Sequence, residues 1–206
     1  MRYNYKIAMV LIFAIMSIST GAALADDKLK GAYSVAGTSM CLIAPAGFAN
    51  DSKGNPTIAN GNDSFASANN FQARITFNGD GTGSVSGTFV SILPPQPDSR
   101  TALKAAVSAA AGTFSYSFTH TPDVNNSFNT TITPGTYKGM INSGPRAGQQ
   151  FTIDSSPNRV FQVSNDQKYG TVAITTPDAE RITYSDASHT TQARICFASG
   201  SLARLD

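Results

Sequence analysis

The sequence is poor in the residues that most catalytic and metal sites use. Among its 206 residues there is no tryptophan, Glu180 is the only glutamate, and His120 and His189 are the only histidines. Zinc sites commonly need three or four His, Cys or carboxylate ligands at characteristic spacings, and glycoside hydrolysis needs two carboxylic acids across a cleft. Since neither pattern occurs, we predict no metal site and no glycosidase activity.

Motifs for nucleophilic catalysis or phosphate binding are also absent. Asp186 precedes His189 by three residues and serines are abundant, but no Gly-x-Ser-x-Gly elbow occurs. The segment 78–83 lacks the ligand pattern of an EF-hand and the lysine of a P-loop, so a hairpin turn explains it better. We therefore predict no catalytic residue and no cofactor.

An excess of positive charge is missing once the N-terminal segment is set aside. The chain carries 15 Lys and Arg against 13 Asp and Glu, and removal of Arg2 and Lys6 leaves 13 of each. No cluster of basic residues changes this balance. A neutral chain of this kind does not predict binding to nucleic acid or to an anionic membrane surface.

The first 25 residues have the layout of a signal peptide. Basic residues Arg2 and Lys6 precede the apolar run 7–17, and Ala23-Leu24-Ala25 is a small-x-small cleavage site. The apolar run is too short to predict a stable membrane span after cleavage. We expect export by a bacterium to the periplasm or the medium, with residues 26–206 forming a single mature domain.

The only two cysteines, Cys41 and Cys196, predict one disulfide in an oxidising compartment. Two buried free thiols, or pairing with another chain, are the alternatives. A bond between them would join the first strand region to one of the last strands.

Short alternating segments separated by Gly, Pro, Asn and Asp predict an all-β domain. Asn78-Gly79-Asp80-Gly81 predicts a tight hairpin between two of these strands. The predicted strands are 29–35, 71–77, 83–92, 114–119, 128–132, 136–141, 150–153, 160–163, 171–175, 181–184, 192–197 and 202–205.

Two segments interrupt this pattern. Residues 98–111 predict one helix, because Asp98 or Ser99 can cap it and Gly112 can end it. Residues 44–70 are rich in Ala, Asn and Gly and predict a long loop. Phe48 and Phe65 in that loop are candidates for a lid over an open end of the domain; the alternative is a mobile loop with both rings on the surface.

Hairpin connections favour an antiparallel up-and-down β-barrel over the alternative, a β-sandwich. A meander that closes places its first and last strands side by side, which suits a Cys41–Cys196 bond. Alternation in the last long strand assigns Ala193, Ile195 and Phe197 to the inner face, so the disulfide is expected outside the barrel.

One face of the predicted strands carries a set of aromatic residues. Such a stripe fills the core or surrounds a small apolar ligand in an eight-stranded barrel. The candidate ligand-binding residues are Tyr33, Phe77, Phe89, Phe114, Tyr116, Phe118, Phe151 and Phe161.

Three short pieces, 31–33, 76–83 and 194–196, resemble those of small secreted bacterial proteins of unassigned function, and the overall plan is similar to lipocalin-like (calycin-like) barrels. Lipocalins carry Gly-x-Trp in the first strand, where this chain has Gly31-Ala32-Tyr33. Their helix follows the barrel, whereas the predicted one interrupts it. The resemblance implies binding of an apolar ligand, by analogy of fold.

Three functions are consistent with these features. The leading hypothesis is an exported, non-enzymatic binding protein for a small hydrophobic molecule. A periplasmic inhibitor or envelope interaction module, with an unknown protein partner, is the second. The third is a barrel enzyme of the cyclase or isomerase type, with Tyr33 and Tyr116 as candidate acids.

Overall fold

The computed structural model describes residues 29–59, 64–93, 108–154, 157–176, 178–187 and 189–205. The expected leader over residues 1–25 lies outside these ranges, and so do residues 98–107 of the expected helix.

The described residues form β-strands and no helix, which confirms the all-β prediction. The strands are β1 Lys30–Ala44, β2 Phe48–Asn50, β3 Pro56–Ile58, β4 Phe65–Asn78, β5 Thr82–Leu93, β6 Ser108–Pro122, β7 Ser127–Ile132, β8 Lys138–Ser143, β9 Gln150–Asp154, β10 Arg159–Val163, β11 Tyr169–Ile174, β12 Ala179–Tyr184 and β13 Thr191–Arg204.

Eleven of these strands belong to one antiparallel sheet that closes on itself. Following the hydrogen-bonded neighbours through β1, β4, β5, β6, β7, β10, β11 and β13 leads back to β1, a ring of eight strands. The closing pair, β1 and β13, is in register from Tyr33 opposite Arg204 to Ala44 opposite Ala193. The remaining strands, β2 and β3, form a separate two-stranded hairpin.

The ring divides into two branches between β6 and β13. One edge of β6 pairs with β5 over residues 108–119. Its other edge pairs with both β8, through residues 111–115, and β7, through residues 118–122. Likewise β13 pairs with β12 through residues 191–195 and with β11 through residues 199–203. We call β7, β10 and β11 the β7 branch, and β8, β9 and β12 the β8 branch.

The half of the ring bounded by the β7 branch has a solid aromatic core. Phe77 lies at its centre and makes edge-to-face contacts with Tyr33, Phe118 and Phe161, with ring centroids 5.4–5.7 Å apart. These four side chains have almost no exposed surface. Alternation along each strand brings them together, because every second side chain points to the same face of the sheet.

The predicted hairpin at Asn78–Gly81 is formed. Phe77 of β4 lies opposite Gly83 of β5, and Gly79 and Gly81 both have positive φ angles. Asp80 accepts hydrogen bonds from the backbone N–H and the hydroxyl of Thr82, at 2.9 and 2.6 Å. Glycine adopts positive φ at little cost, which is why this sequence turns here.

Several predicted boundaries are wrong. β1 extends to Ala44, well past the predicted end at residue 35, and the predicted strands 192–197 and 202–205 form one strand, β13. Residues 108–111, placed at the end of a helix, belong to β6, because Ala109–Ala111 continue the β6 ladder opposite Val90–Ile92 of β5. Within the predicted loop 44–70, the structure contains β2, β3 and the start of β4. Phe65–Asn70 of β4 lacks hydrophobic alternation because the inward residues that follow Phe65 are the polar Ser67 and Asn69. A pattern based on apolar side chains therefore does not detect this part of the strand.

The disulfide between Cys41 and Cys196 is confirmed; the two residues lie opposite each other in the β1–β13 ladder. Its predicted position on the outside is wrong. Both cysteines are buried and pack against Phe65 and Ile174, whereas Phe197 points outward and is 63% exposed. The inner face of β13 therefore carries Arg194, Cys196 and Ala198, the opposite of the predicted set.

Candidate ligand-binding site

Small side chains leave an open space in the half of the ring bounded by the β8 branch. Along the long strands, the inward residues in the packed half are mostly Tyr, Phe, Ile or Val. In this half, several of the inward residues are small or polar. They are Ser39 on β1, Ser67 and Asn69 on β4, Ser91 on β5, Ala110 on β6 and Ala198 on β13. Because these side chains cannot reach across the ring, the interior is not filled.

The space is a cavity of about 350 Å³ with mostly apolar walls. This volume is within the range of ligand pockets in proteins, roughly 300–1,000 Å³. The apolar part of the wall comes from both branches and from the long strands. It includes Val35, Ile43, Phe71, Ile75, Val85, Ile141, Ile153, Val172, Ile174 and Ile182.

The predicted ligand-binding aromatics divide between this cavity and the packed core. Those that line the cavity are Phe89, Phe114, Tyr116, Phe151 and Phe161. Tyr33, Phe77 and Phe118 lie in the core, where the Tyr33 hydroxyl donates a hydrogen bond to the backbone oxygen of Gln167 at 2.9 Å. Of the two predicted lid residues, Phe65 lines the cavity and Phe48 begins the β2–β3 hairpin.

A neutral polar patch lies on the cavity wall formed by β1, β4 and β5. Asn69 donates from Nδ2 to the Ser39 hydroxyl at 3.1 Å, and its Oδ1 accepts from the Ser91 hydroxyl at 2.5 Å. These three residues are cross-strand neighbours in register. Their mutual bonds satisfy polar groups that would otherwise face an apolar space.

Three polar or charged side chains reach the cavity from the points where the chain crosses between the two branches. Tyr137 lies on the connection from β7 to β8, Arg159 begins β10 after the connection from β9, and Glu180 lies at the start of β12. All three line the cavity, together with Arg194 of β13. Topology thus brings residues far apart in the sequence to one place.

Glu180 and Arg194 form a buried ion pair. The Arg194 guanidinium donates from Nη2 and Nε to Oε2 of Glu180, at 2.8 and 3.2 Å. Glu180 is 2% exposed, and the Arg194 side chain is 20% exposed. Arg194 opposes Glu180 directly in the β12–β13 ladder, so the backbone fixes this geometry.

Arg159 differs from Arg194 because, among the described residues, it makes no direct ion pair with a carboxylate. Its guanidinium carbon lies 5.0 Å from the centre of the Tyr116 ring, a cation–π contact. Its Nη1 atom is buried and makes no hydrogen bond within the described part of the chain. The Arg159 backbone is held by pairing with Thr130 and Ile174 on the two neighbouring strands.

The tyrosines beside this cation are hydrogen-bond donors at neutral pH. Burial raises the pKa of Tyr137 to about 12, and burial also raises the pKa of Tyr116. The centres of their rings are 4.9 Å apart.

A second arginine–tyrosine contact lies elsewhere on the cavity wall. The Arg146 guanidinium packs over the Tyr184 ring and donates a hydrogen bond to the Asp186 carboxylate at 2.9 Å.

The charged residues of this site were not predicted from the sequence. Arg159 and Glu180 each lie one residue before a predicted strand, 160–163 and 181–184. Arg194 lies in the predicted strand 192–197, on the face that was assigned to the outside. One signal was present: Arg194 and Cys196 share a face, so an inward cysteine implies an inward arginine. The single glutamate of the chain was a second signal, because an inward arginine needs a carboxylate.

The described residues contain no group of three or more His, Cys, Asp or Glu side chains placed to bind a metal ion. His120 is buried between Phe77, Phe118 and Phe128, and neither ring nitrogen has a hydrogen-bond partner there. Burial lowers the pKa of His120.

Within the described residues, no helix is long and apolar enough to cross a membrane.

Comparison with models of known protein families and with curated proteins finds no match to this chain. The cavity, its apolar wall and its buried charges are therefore the basis of the functional argument.

Proposed function

We propose that this chain is an exported, non-enzymatic binding protein that holds a small, mainly apolar molecule inside a β-barrel. The observation that carries the proposal is the cavity of about 350 Å³ beside a solid core in the same ring of strands. A chain that needed only stability would gain by filling this space, because dispersion contacts are lost at an empty wall.

The ring of eight strands supports the barrel description over the sandwich. Interior side chains of an eight-stranded barrel can fill it or leave room for one small ligand, and this chain combines the two arrangements in its two halves. We propose a lipocalin-like plan in this restricted sense. The two branches between β6 and β13 add a feature that a simple up-and-down meander does not have.

Export is supported by two features. The N-terminal segment has the composition of a signal peptide, and the Cys41–Cys196 disulfide is consistent with an oxidising compartment. The periplasm and the medium are both compatible with these features.

The test compares two matched leucine variants of the protein starting at Asp26. Ala198→Leu puts a larger side chain into the cavity, whereas Ala203→Leu makes the same change on the outer face of the same strand. We expect the neutral dye N-phenylnaphthylamine to bind with enhanced fluorescence to the unchanged protein and to Ala203→Leu, and at least about tenfold more weakly to Ala198→Leu. Equal binding to the two variants, or none to the unchanged protein, would refute the proposal.

Native mass spectrometry provides a test without an added dye. The protein is purified from its own host with the disulfide intact and examined before and after denaturation. A reproducible extra mass that denaturation removes would support a ligand in the cavity and would give its mass.

A second candidate function, a protein-interaction module, is favoured by one observation. Phe197, Met40 and Ile92 lie in one row across the outer faces of β13, β1, β4 and β5, with Ala68 between the last two. They are 63%, 62% and 53% exposed. Exposed apolar residues in a continuous row are typical of contact surfaces. Retention of an envelope protein by the unchanged chain, but not by Met40→Ser with Phe197→Ser, would support this function.

A further inference from the structure

The charged side chains that face the cavity do not balance. Arg146, Arg159 and Arg194 line it, and Glu180 is the only carboxylate residue among the lining residues that the structure describes. Glu180 is engaged by Arg194, and Asp186 is engaged by Arg146 from outside the lining. Each of these two carboxylates therefore makes its ion pair with another arginine. Among the described residues no carboxylate pairs directly with the Arg159 guanidinium, although the nearby charge of Glu180 favours it.

A guanidinium that has a buried, unpartnered donor and no direct ion pair is unfavourable in a protein interior. Buried charges are ordinarily paired or hydrogen-bonded, because the charged form loses its hydration. Arg159 cannot relieve this cost by losing its proton, since a guanidinium stays charged in proteins. Its contact with Tyr116 supplies part of the compensation, but Nη1 still lacks an acceptor.

We infer that the cavity takes a small amphiphile with a carboxylate group, which binds Arg159 while its apolar part lies against the cavity wall. This inference rests on the proposed binding function and specifies the class of ligand. A carboxylate suits the site because its two oxygens match the planar fork of a guanidinium. Tyr116 and Tyr137, which stay protonated at neutral pH, can donate further hydrogen bonds to the same group.

Arg194 is a poorer candidate for the same role. Its Nε and Nη2 already donate to Glu180, so a ligand carboxylate there would compete with a protein carboxylate and approach its negative charge. Arg159 offers a free donor with no such competition. The wall beyond it is apolar, which suits a ligand with one charged end.

The experiment measures the affinities of decanoate and decan-1-ol, which have the same chain and differ in the charge of the head group. Displacement of N-phenylnaphthylamine gives both values for the unchanged mature protein, Arg159→Met and Arg74→Met. Arg74 is an exposed arginine on the outer face of β4, so its variant controls for the loss of one positive charge. Arg159→Met keeps an unbranched apolar stem of similar reach.

We expect the unchanged protein and Arg74→Met to bind decanoate about tenfold or more tightly than decan-1-ol, as a charged hydrogen bond predicts. Arg159→Met should lose this preference and still bind decan-1-ol. If the unchanged protein binds both probes equally, the inferred carboxylate is wrong while the proposed function stands. If neither probe nor the dye binds, the proposed function itself fails.

A preference for decanoate that persists in Arg159→Met would overturn the role of Arg159. Should that variant not fold, Arg159→Gln gives the same comparison with a polar side chain that keeps hydrogen-bonding groups. The ratio of the two affinities in the unchanged protein needs no variant, and it tests the charge of the ligand directly.

Discussion

Replacement of Glu180 with glutamine is expected to destabilise the fold strongly, although the two side chains have nearly the same shape. Glu180 is 2% exposed and accepts two hydrogen bonds from the Arg194 guanidinium. The amide of glutamine removes the one negative charge among the described cavity-lining residues, which pairs with Arg194 and also favours the charge of Arg159. Breaking a buried ion pair in this way costs about 3–5 kcal/mol.

The lower end of that range applies here, because the Arg194 side chain is 20% exposed and water can therefore solvate part of the unpaired charge. A loss of about 3 kcal/mol in a domain of this size lowers the melting temperature by about 6–12 °C. Urea unfolding followed by circular dichroism measures the free energy, with the disulfide kept intact in every sample.

The double variant Glu180→Gln with Arg194→Met is the control. Removing both charges of a buried pair is often close to neutral, so the double variant should recover most of the stability that Glu180→Gln alone loses. A loss below about 1 kcal/mol in Glu180→Gln would refute the reasoning, since that is the size of an exposed pair. A double variant as unstable as the single one would show that the ion pair is not the cause.

Three further predictions concern the stability of the protein without ligand. Arg159→Met should raise the free energy of unfolding by about 1–3 kcal/mol, because it removes a buried unpaired donor; a fall in urea unfolding would contradict this. Reducing the Cys41–Cys196 bond, which joins residues 155 apart in the sequence, should lower the free energy of unfolding by up to about 5 kcal/mol in the chain-entropy description, and an unchanged unfolding curve after complete reduction would contradict it. Burial lowers the pKa of His120 in the folded state, so the unfolded chain binds the extra proton first. Stability should therefore fall as the pH drops below about 6.5 toward the folded pKa of His120, by at most about 1.4 kcal/mol per pH unit from this group. His120→Phe should remove that contribution, and an identical slope in the variant would contradict the assignment.

The all-β class, the hairpin at Asn78–Gly81 and the disulfide follow from local signals. Alternation of apolar side chains has a period of two in any strand, glycines mark the turn, and two cysteines can form only one intramolecular pair. These features need no knowledge of which strands become neighbours. The part of β4 before residue 71 was not predicted, because the inward side chains of Ser67 and Asn69 break the apolar pattern.

The charged part of the site depends on contacts that local patterns do not contain. Arg159 and Glu180 come together because the chain crosses between the two branches at those points, and nothing in their neighbouring residues indicates that crossing. Apolar alternation assigns Ile195 and Phe197 to the inner face of β13, and this prediction is wrong because Phe197 is 63% exposed. The pairing of Arg194 with Glu180 satisfies an inward arginine, and Phe197 is left on the outer surface.

The two halves of the ring differ in how completely their interior is filled. The half bounded by the β7 branch has interlocked aromatic rings, whereas the other half combines small inward side chains, a cavity and an unpaired guanidinium. Both the cavity and the unpaired charge lower stability. The disulfide lies in the less stable half, where it lines the cavity and joins the two strands that close the ring. Its constraint on the unfolded chain offsets part of that loss. A carboxylate ligand would offset more, by occupying the cavity and pairing with Arg159. The ligand-free protein should consequently gain more stability from decanoate than from decan-1-ol, and Arg159→Met should remove that difference.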